Sequence, residues 1–223
     1  MENIRFVGTS HISQQSKERV KKAFLDFKPD IVAVELDKNR LKGLIEGQSR
    51  LKLRMIKHIG LTGFIFAAIG RYIQKKLGKV TGMTPGEDMM SAVKIAGKND
   101  KRVALIDQDM TITMRRLSKT VSFKEKAKMV WDLLTSPLRN TFKIEIDITK
   151  VPEDELVEKL TSILKERYPQ MHNVLIEERN TFMADAIRKI REENPDKKIL
   201  VVIGAGHKKG MKKLLQDYLN QDK

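Results

Sequence analysis

The chain has 223 residues, 40% of them hydrophobic and 33% charged, with a formal net charge of +15. That length buries a sizeable core, and that composition excludes disordered, collagen-like and mucin-like chains. The absence of cysteine excludes a disulfide scaffold, a thiol nucleophile and every cysteine-based zinc or iron–sulfur site, so a metal would have to be held by His, Asp or Glu.

Residues 4–7 open the chain as a short, apolar, β-branched run, the signature of a strand covered on both faces. Residues 13–27 predict a helix with apolar positions at Val20, Ala23, Phe24 and Phe27, a cap at Ser13 or Ser16, and a stop at Lys28, Pro29 and Asp30. The second strand is Ile31–Val34. Residues 38–82 read as a helical insertion. Its least polar run, 59–70, has 12 residues, short of the roughly 20 that cross a bilayer. It suits a core helix, a dimer face or an interfacial helix. The turn at Thr84, Pro85 and Gly86 leads into a helix over 87–96, and the third strand is 103–106. A second helical insertion covers 110–150. Within it, 142–148 alternates apolar and charged residues and reads equally as an edge strand or a loop. Helices over 153–167 and 173–191 follow, then the fourth strand at 199–203 and a closing helix at 208–219.

This alternation predicts one α/β domain over 1–223, with a largely parallel central sheet, helices on both faces and two basic helical insertions. The first two strands and their helix are expected to form a βαβ unit. The positive charge is regional. Residues 38–79 hold 11 Lys and Arg against Glu46 alone, and 115–143 hold 8 against Glu125 and Asp132, giving +10 and +6 and leaving −1 elsewhere. These regions are solvated helix faces or a surface for anionic lipid, nucleic acid or an acidic partner. Aromatic residues are 5%, with one tryptophan, Trp131, so a base-stacking pattern is absent and nucleic acid is disfavoured as a partner. The first residues lack the layout of a secretory signal and the chain shows no transmembrane run, so the expected location is cytoplasmic, with association at a membrane surface.

The chemistry gathers where the strands end. After the first strand come Gly8, Thr9, Ser10 and His11; after the second, Glu35 and Asp37; after the third, Asp107 and Asp109; after the fourth, Gly204, Ala205, Gly206 and His207. Parallel strands share one carboxyl edge, where ligand sites form. Both histidines sit in a Gly-x-x-His frame. Two imidazoles and a carboxylate suit a divalent metal, whereas either histidine alone reads as a cap on a carbonyl. Glu35 directly ends an apolar strand and needs a partner or a metal. Asp37 either caps the next helix or joins the rim, and Asp109 reads more as a turn or cap. Glu87 stands at a helix start, where it meets the dipole or points into the rim. His58 and His172 read as surface or partner residues.

Over 173–191 the apolar stripe Ile176, Met183, Ile187 and Ile190 is interrupted by Arg179. A buried guanidinium must be paired. It either makes an ion pair with Asp107 or Glu35, or holds a substrate carboxylate or developing oxyanion. Glu178 and Asn180 flank it, and Arg115 and Arg116 would extend an anion site.

The segments GTSHIS (8–13), VELD (34–37), PGEDM (85–89), LIDQDMTITMRR (105–116), ERNTFMADAI (178–187) and VVIGAGHKKG (201–210) together resemble the TraB/PrgY family. That family is related to the Tiki proteins and, more distantly, to the erythromycin esterase and ChaN-like group. The resemblance implies pseudo-symmetric α/β halves and a metal-dependent hydrolase, a peptidase acting on peptide signals. It implies a metal site on His11, His207 and Glu35 and puts the family's arginine at Arg179. The reaction expected there has Mn²⁺, Co²⁺ or Zn²⁺ on those ligands, Arg179 steadying an oxyanion and Glu178 or Asp107 as general base or support. Gly8, Ser10, Glu87, Arg115, Asn180, Gly204 and Gly206 fall in the matching segments as binding positions. Gln108 stands where the family more often has arginine. The rival expectations are a non-enzymatic regulator at a membrane surface, and haem or another ligand bound by the two histidines. Many family members carry carboxy-terminal membrane helices, so this chain is expected to be a short member or a soluble portion. A homodimer through 59–70 is also expected.

Overall fold

A computed structural model describes residues 2–9, 14–47, 53–81, 86–139 and 153–221. The strands β1 (Ile4–Thr9), β2 (Ile31–Val34), β3 (Arg102–Leu105) and β4 (Ile199–Gly204) form one parallel sheet in the order β1-β4-β2-β3. The α/β expectation therefore describes the fold. One connection differs. The crossover from β1 to β2 passes over an intervening strand, because β4 lies between them and pairs with both. β4 is buried at all six positions, so the middle of the sheet is where its apolar side chains are covered from both faces.

The pleat sends alternate residues to opposite faces. Ile31, Ala33, Ile199, Val201 and Ile203 share a core with Met183 and Ile187 of α9 (Glu178–Glu193) and Met211 and Leu215 of α10 (Ala205–Gln221). Val32, Val34, Leu200 and Val202 face the other way, onto Val20 and Phe24 of α1 (Gln14–Phe27) and Met89 and Ala92 of α4 (Glu87–Lys98).

Leu41 and Leu44 of α2 (Lys38–Glu46) pack against the same core as α1 and α4. The other helices form a third layer: α3 (Ile56–Thr81), α5 (Met110–Thr120), α6 (Phe123–Arg139), α7 (Glu153–Arg167) and α8 (Pro169–His172). Ile59 and Phe66 of α3, Met114 and Leu117 of α5, and Met171 of α8 meet in a separate apolar cluster, with Met129 of α6 against it. The two basic insertions thus share one core. Close approach of α3 to α5 requires glycine: a Cβ on Gly63 would lie 2.5 Å from the Met114 carbonyl oxygen. Gly60, at φ 73°, breaks α3, and Ser118 Oγ on α5 accepts the Gly63 N–H at 2.7 Å, capping the restarted helix from a neighbouring one.

Among the described residues one stretch, Leu53–Arg71, has the length and mean hydropathy of a membrane span, and 17% of it is buried. Gly60 interrupts it, so the continuous apolar helix from 61 to Arg71 is only about 16 Å long at 1.5 Å per residue, against a hydrocarbon core of about 30 Å. His172 is buried, not on the surface. Burial holds its pKa below the ordinary histidine value, with the Glu177 carboxylate acting in the opposite direction. The alternating segment 142–148 lies outside the described residues.

Candidate functional site

The carboxyl ends of the strands deliver the site. Glu35 follows β2 and is 3% exposed, and Asp107 follows the residue after β3 and is 6% exposed. His207 lies in the first turn of α10, directly after β4. From the opposite side α9 brings Arg179 and Asn180, both buried. A single π-helical turn, Asn173–Glu177, precedes α9. Such turns recur at functional sites because they shift the phase of the residues that follow.

Arg179 is the hub. Its Nη2 donates to Glu35 Oε1 at 2.6 Å and to Asp107 Oδ2 at 2.7 Å, and its Nε donates to Asp107 Oδ1 at 3.0 Å. Its Nη1 donates to the Leu175 carbonyl at 3.3 Å and lies 3.2 Å from His207 Nε2. Burial disfavours the charged guanidinium, but the Glu35 charge and the Asp107 hydrogen bond outweigh it and hold its pKa above the ordinary arginine value. The second Glu35 oxygen accepts the Gly204 N–H at 2.6 Å, so both strand ends grip the same carboxylate.

The state of His207 follows from its neighbours. A guanidinium only donates, so Nε2 facing Arg179 accepts, and the proton sits on Nδ1, which donates to Asn180 Oδ1 at 2.7 Å. The imidazole is thereby neutral with Nε2 turned into the cluster.

Glycines make room for this arrangement. A Cβ on Gly8 would lie 3.2 Å from the Lys208 side chain and 3.4 Å from the Ala205 backbone, and one on Gly206 would lie 3.3 Å from Thr161 Oγ1. Gly210 is the residue the motifs do not single out. Its Cβ would fall 2.4 Å from Asn180 Nδ2, so α10 must be bare there for Asn180 to reach His207. A glycine inside a helix, unfavourable by about 1 kcal/mol relative to alanine, was the available signal.

Other candidates lie elsewhere. Glu178 turns outward into a bidentate pair with Arg116 at 2.6 and 3.0 Å. Arg115 donates to the His58 carbonyl at 2.9 Å. Glu87 pairs with Lys17, and the fully buried carboxylate of that turn is Asp88. Asp37 caps α2 by accepting from the amides of Asn39 and Arg40, and Asp109 caps α5 by accepting from Thr111. Ser10 and His11 lie outside the described residues.

A divalent metal can be tested against these donors. His207 Nε2 and Glu35 Oε1 are 3.5 Å apart, a spacing that two ligands of one ion adopt, and Asn180 holds the imidazole as supporting groups hold metal-bound histidines. Yet both donors face the Arg179 guanidinium, and among the described residues no three His, Asp or Glu side chains converge as a ligand set. A dication beside a buried guanidinium is strongly repelled. As arranged, the described donors His207 and Glu35 both face arginine, and the third expected ligand, His11, lies outside the described residues.

Fold and site together define an α/β protein with a buried arginine–carboxylate–histidine cluster at the carboxyl rim of a parallel sheet. The profile of the TraB/PrgY/gumN family matches residues 2–222, and the chain belongs to that family. It is 36% identical over 225 residues to an uncharacterised protein of Methanocaldococcus jannaschii, covering 98% of this chain and 54% of that protein. It is 26% and 25% identical to the TraB domain-containing proteins of Mus musculus and Homo sapiens, covering 96% of this chain and 63% of each. The chain therefore spans between half and two thirds of the length of these curated relatives.

Proposed function

We propose that the chain is a hydrolase of peptide carbonyl groups, centred on the Glu35–Asp107–Arg179–His207 cluster. The observation that supports this reading is the neutral His207, with Nε2 oriented by Asn180 toward buried Arg179. Placing three charged groups in a low-dielectric interior costs several kcal/mol each before pairing, and such sites are where acid–base chemistry is tuned. In this reading Arg179 Nη1 turns from His207 Nε2 to the substrate, and the freed Nε2 takes the proton of an attacking water and returns it to the leaving amine. Arg179 Nη1 donates to the oxyanion that forms on the carbonyl carbon. Glu35 and Asp107 hold the guanidinium plane in place.

A second reading, favoured by the 3.5 Å separation of His207 Nε2 and Glu35 Oε1, places Mn²⁺, Co²⁺ or Zn²⁺ on those donors with His11. It requires the guanidinium to give them up. A bound ion would supply a Lewis acid and an acidified water.

The test is cleavage of a defined peptide mixture, read by mass spectrometry, with chelator or with each metal added. The first reading expects cleavage that survives chelation and falls about 100-fold or more in His207→Ala. Cleavage that needs added metal, with one ion per chain lost in His207→Ala, establishes the second. No cleavage under any condition, or equal cleavage by His207→Ala, overturns the hydrolase.

A further inference from the structure

Among the described side chains of α6, aromatic residues face solvent and carboxylates are buried. At 100° per residue, Phe123, Ala127, Val130 and Trp131 occupy an arc of about 100° on one side. Phe123 is 85% exposed, Trp131 59% and Val130 51%, and Ala127 is exposed as well. The opposite side carries the carboxylates, and these are buried: Glu125 at 8% and Asp132 at 3%. Glu125 accepts the amides of Gln170 and Met171 at the start of α8, at 3.3 and 3.0 Å. Asp132 accepts from Arg167 Nε at 2.7 Å and from the Tyr168 hydroxyl at 2.5 Å. Among the described side chains of α6, Met129 on that side joins the apolar cluster. Buried carboxylates opposite exposed aromatic residues reverse the usual pattern of a globular surface.

Lysines border the apolar arc. Lys124 and Lys128 lie beyond one edge and Lys126 beyond the other. Lys126 and Lys128 reach back to the carbonyls of Ser118 and Arg167 at 3.0 and 3.1 Å, which places their charge along the margins of the arc. In the same layer α3 exposes Leu61 at 62% and Ile65 at 44%.

We propose that the outward face of α6 docks on an anionic lipid bilayer, with Phe123, Val130 and Trp131 entering the interface and the positive charge at its margins drawing it to the headgroups. Aromatic residues and long cationic side chains are the pair that the headgroup boundary selects. Charge decides against a second copy on this face. The sequence segments 38–79 and 115–143, which include α3 and α6, carry +10 and +6, so two copies of the chain repel, whereas an anionic surface attracts them. This inference is independent of the hydrolase reading.

Trp131 is the only tryptophan in the chain, so its fluorescence reports this face alone. The whole chain is titrated with vesicles of phosphatidylglycerol and phosphatidylcholine, and with phosphatidylcholine alone. The expected result is a blue shift and quenching by brominated acyl chains with anionic vesicles only, weakened by salt. Phe123→Ser, at a position with no buried contact to lose, should bind about tenfold more weakly with an unchanged far-ultraviolet spectrum. Unaltered fluorescence with anionic vesicles overturns the proposal. So does a blue shift that grows with protein concentration in the absence of lipid, which would assign the face to a second copy.

Discussion

Arg179→Met removes the cation and keeps the bulk of the side chain. One Nη2 bridges Glu35 Oε1 at 2.6 Å and Asp107 Oδ2 at 2.7 Å, so these oxygens are at most about 5.3 Å apart. Without the guanidinium, two unit charges at that separation repel by about 3 kcal/mol at an effective dielectric of 20. Breaking a buried pair from one side costs about 3–5 kcal/mol by analogy with measured cases, so the two routes agree. The destabilisation must also depend on pH in a known direction. Unpaired carboxylates brought together rise in pKa, so a folded variant protein takes up a proton as pH falls and regains part of the loss. Proton uptake on His207, freed of Arg179, acts the same way. Urea unfolding followed by circular dichroism at pH 7.5 and pH 5.5 checks this. The variant should lose about 3 kcal/mol or more at pH 7.5 and distinctly less at pH 5.5. A loss under 1 kcal/mol, equal at both pH values, would mean that the cluster is solvated and that Arg179 does not hold it together.

Gly210→Ala places a methyl where Asn180 Nδ2 now sits. Alanine favours the helix by about 1 kcal/mol, but the displaced amide should release the His207 Nδ1 proton, visible as a tautomer change in imidazole ¹⁵N shifts. His172 is buried with a pKa below the ordinary value. Its contribution to stability is complete above about pH 6.5, the unfolded value, and is lost as pH falls toward the lower folded pKa. His172→Gln should flatten that part of a stability–pH curve measured by thermal melts. Asp132, held below the ordinary aspartate range by the Arg167 hydrogen bond against the cost of burial, contributes above about pH 4 and fails at more acid pH. Asp132→Asn should remove that acid limb while costing stability at pH 7. Ser118→Ala withdraws the acceptor of the Gly63 amide and should cost about 1 kcal/mol in urea unfolding.

The sheet and much of its rim were legible from local signals. Short β-branched runs announced the strands, although β3 at the sheet edge is only part-buried rather than covered on both sides, and each run is followed by Gly-x-x-His or by carboxylates. Arg179 on an apolar stripe announced a buried cation, because helical spacing puts position 179 beneath Met183 and Ile187. Which carboxylate it meets was not legible, since Glu35 is 144 residues away and Asp107 is 72. The structure gives both, because the guanidinium fork carries five donors and one oxygen pair cannot satisfy them. Glu178 read as a rim residue, yet its neighbour Arg179 takes the inward direction and a helix sends adjacent residues about 100° apart. Glu178 therefore faces Arg116.

By itself, then, the sequence determines which residues form the strands, that a cation must be buried on α9, and where the positive charge lies. Those are consequences of spacing along one element, which the chain carries locally. Tertiary structure alone decides that β4 separates β1 from β2, that two basic insertions share a core, that Asn180 sets the tautomer of His207 across a gap kept open by Gly210, and that α6 buries its carboxylates. Each depends on which elements become neighbours, and burial of the sheet from both sides selects those neighbours in a way that no local period records.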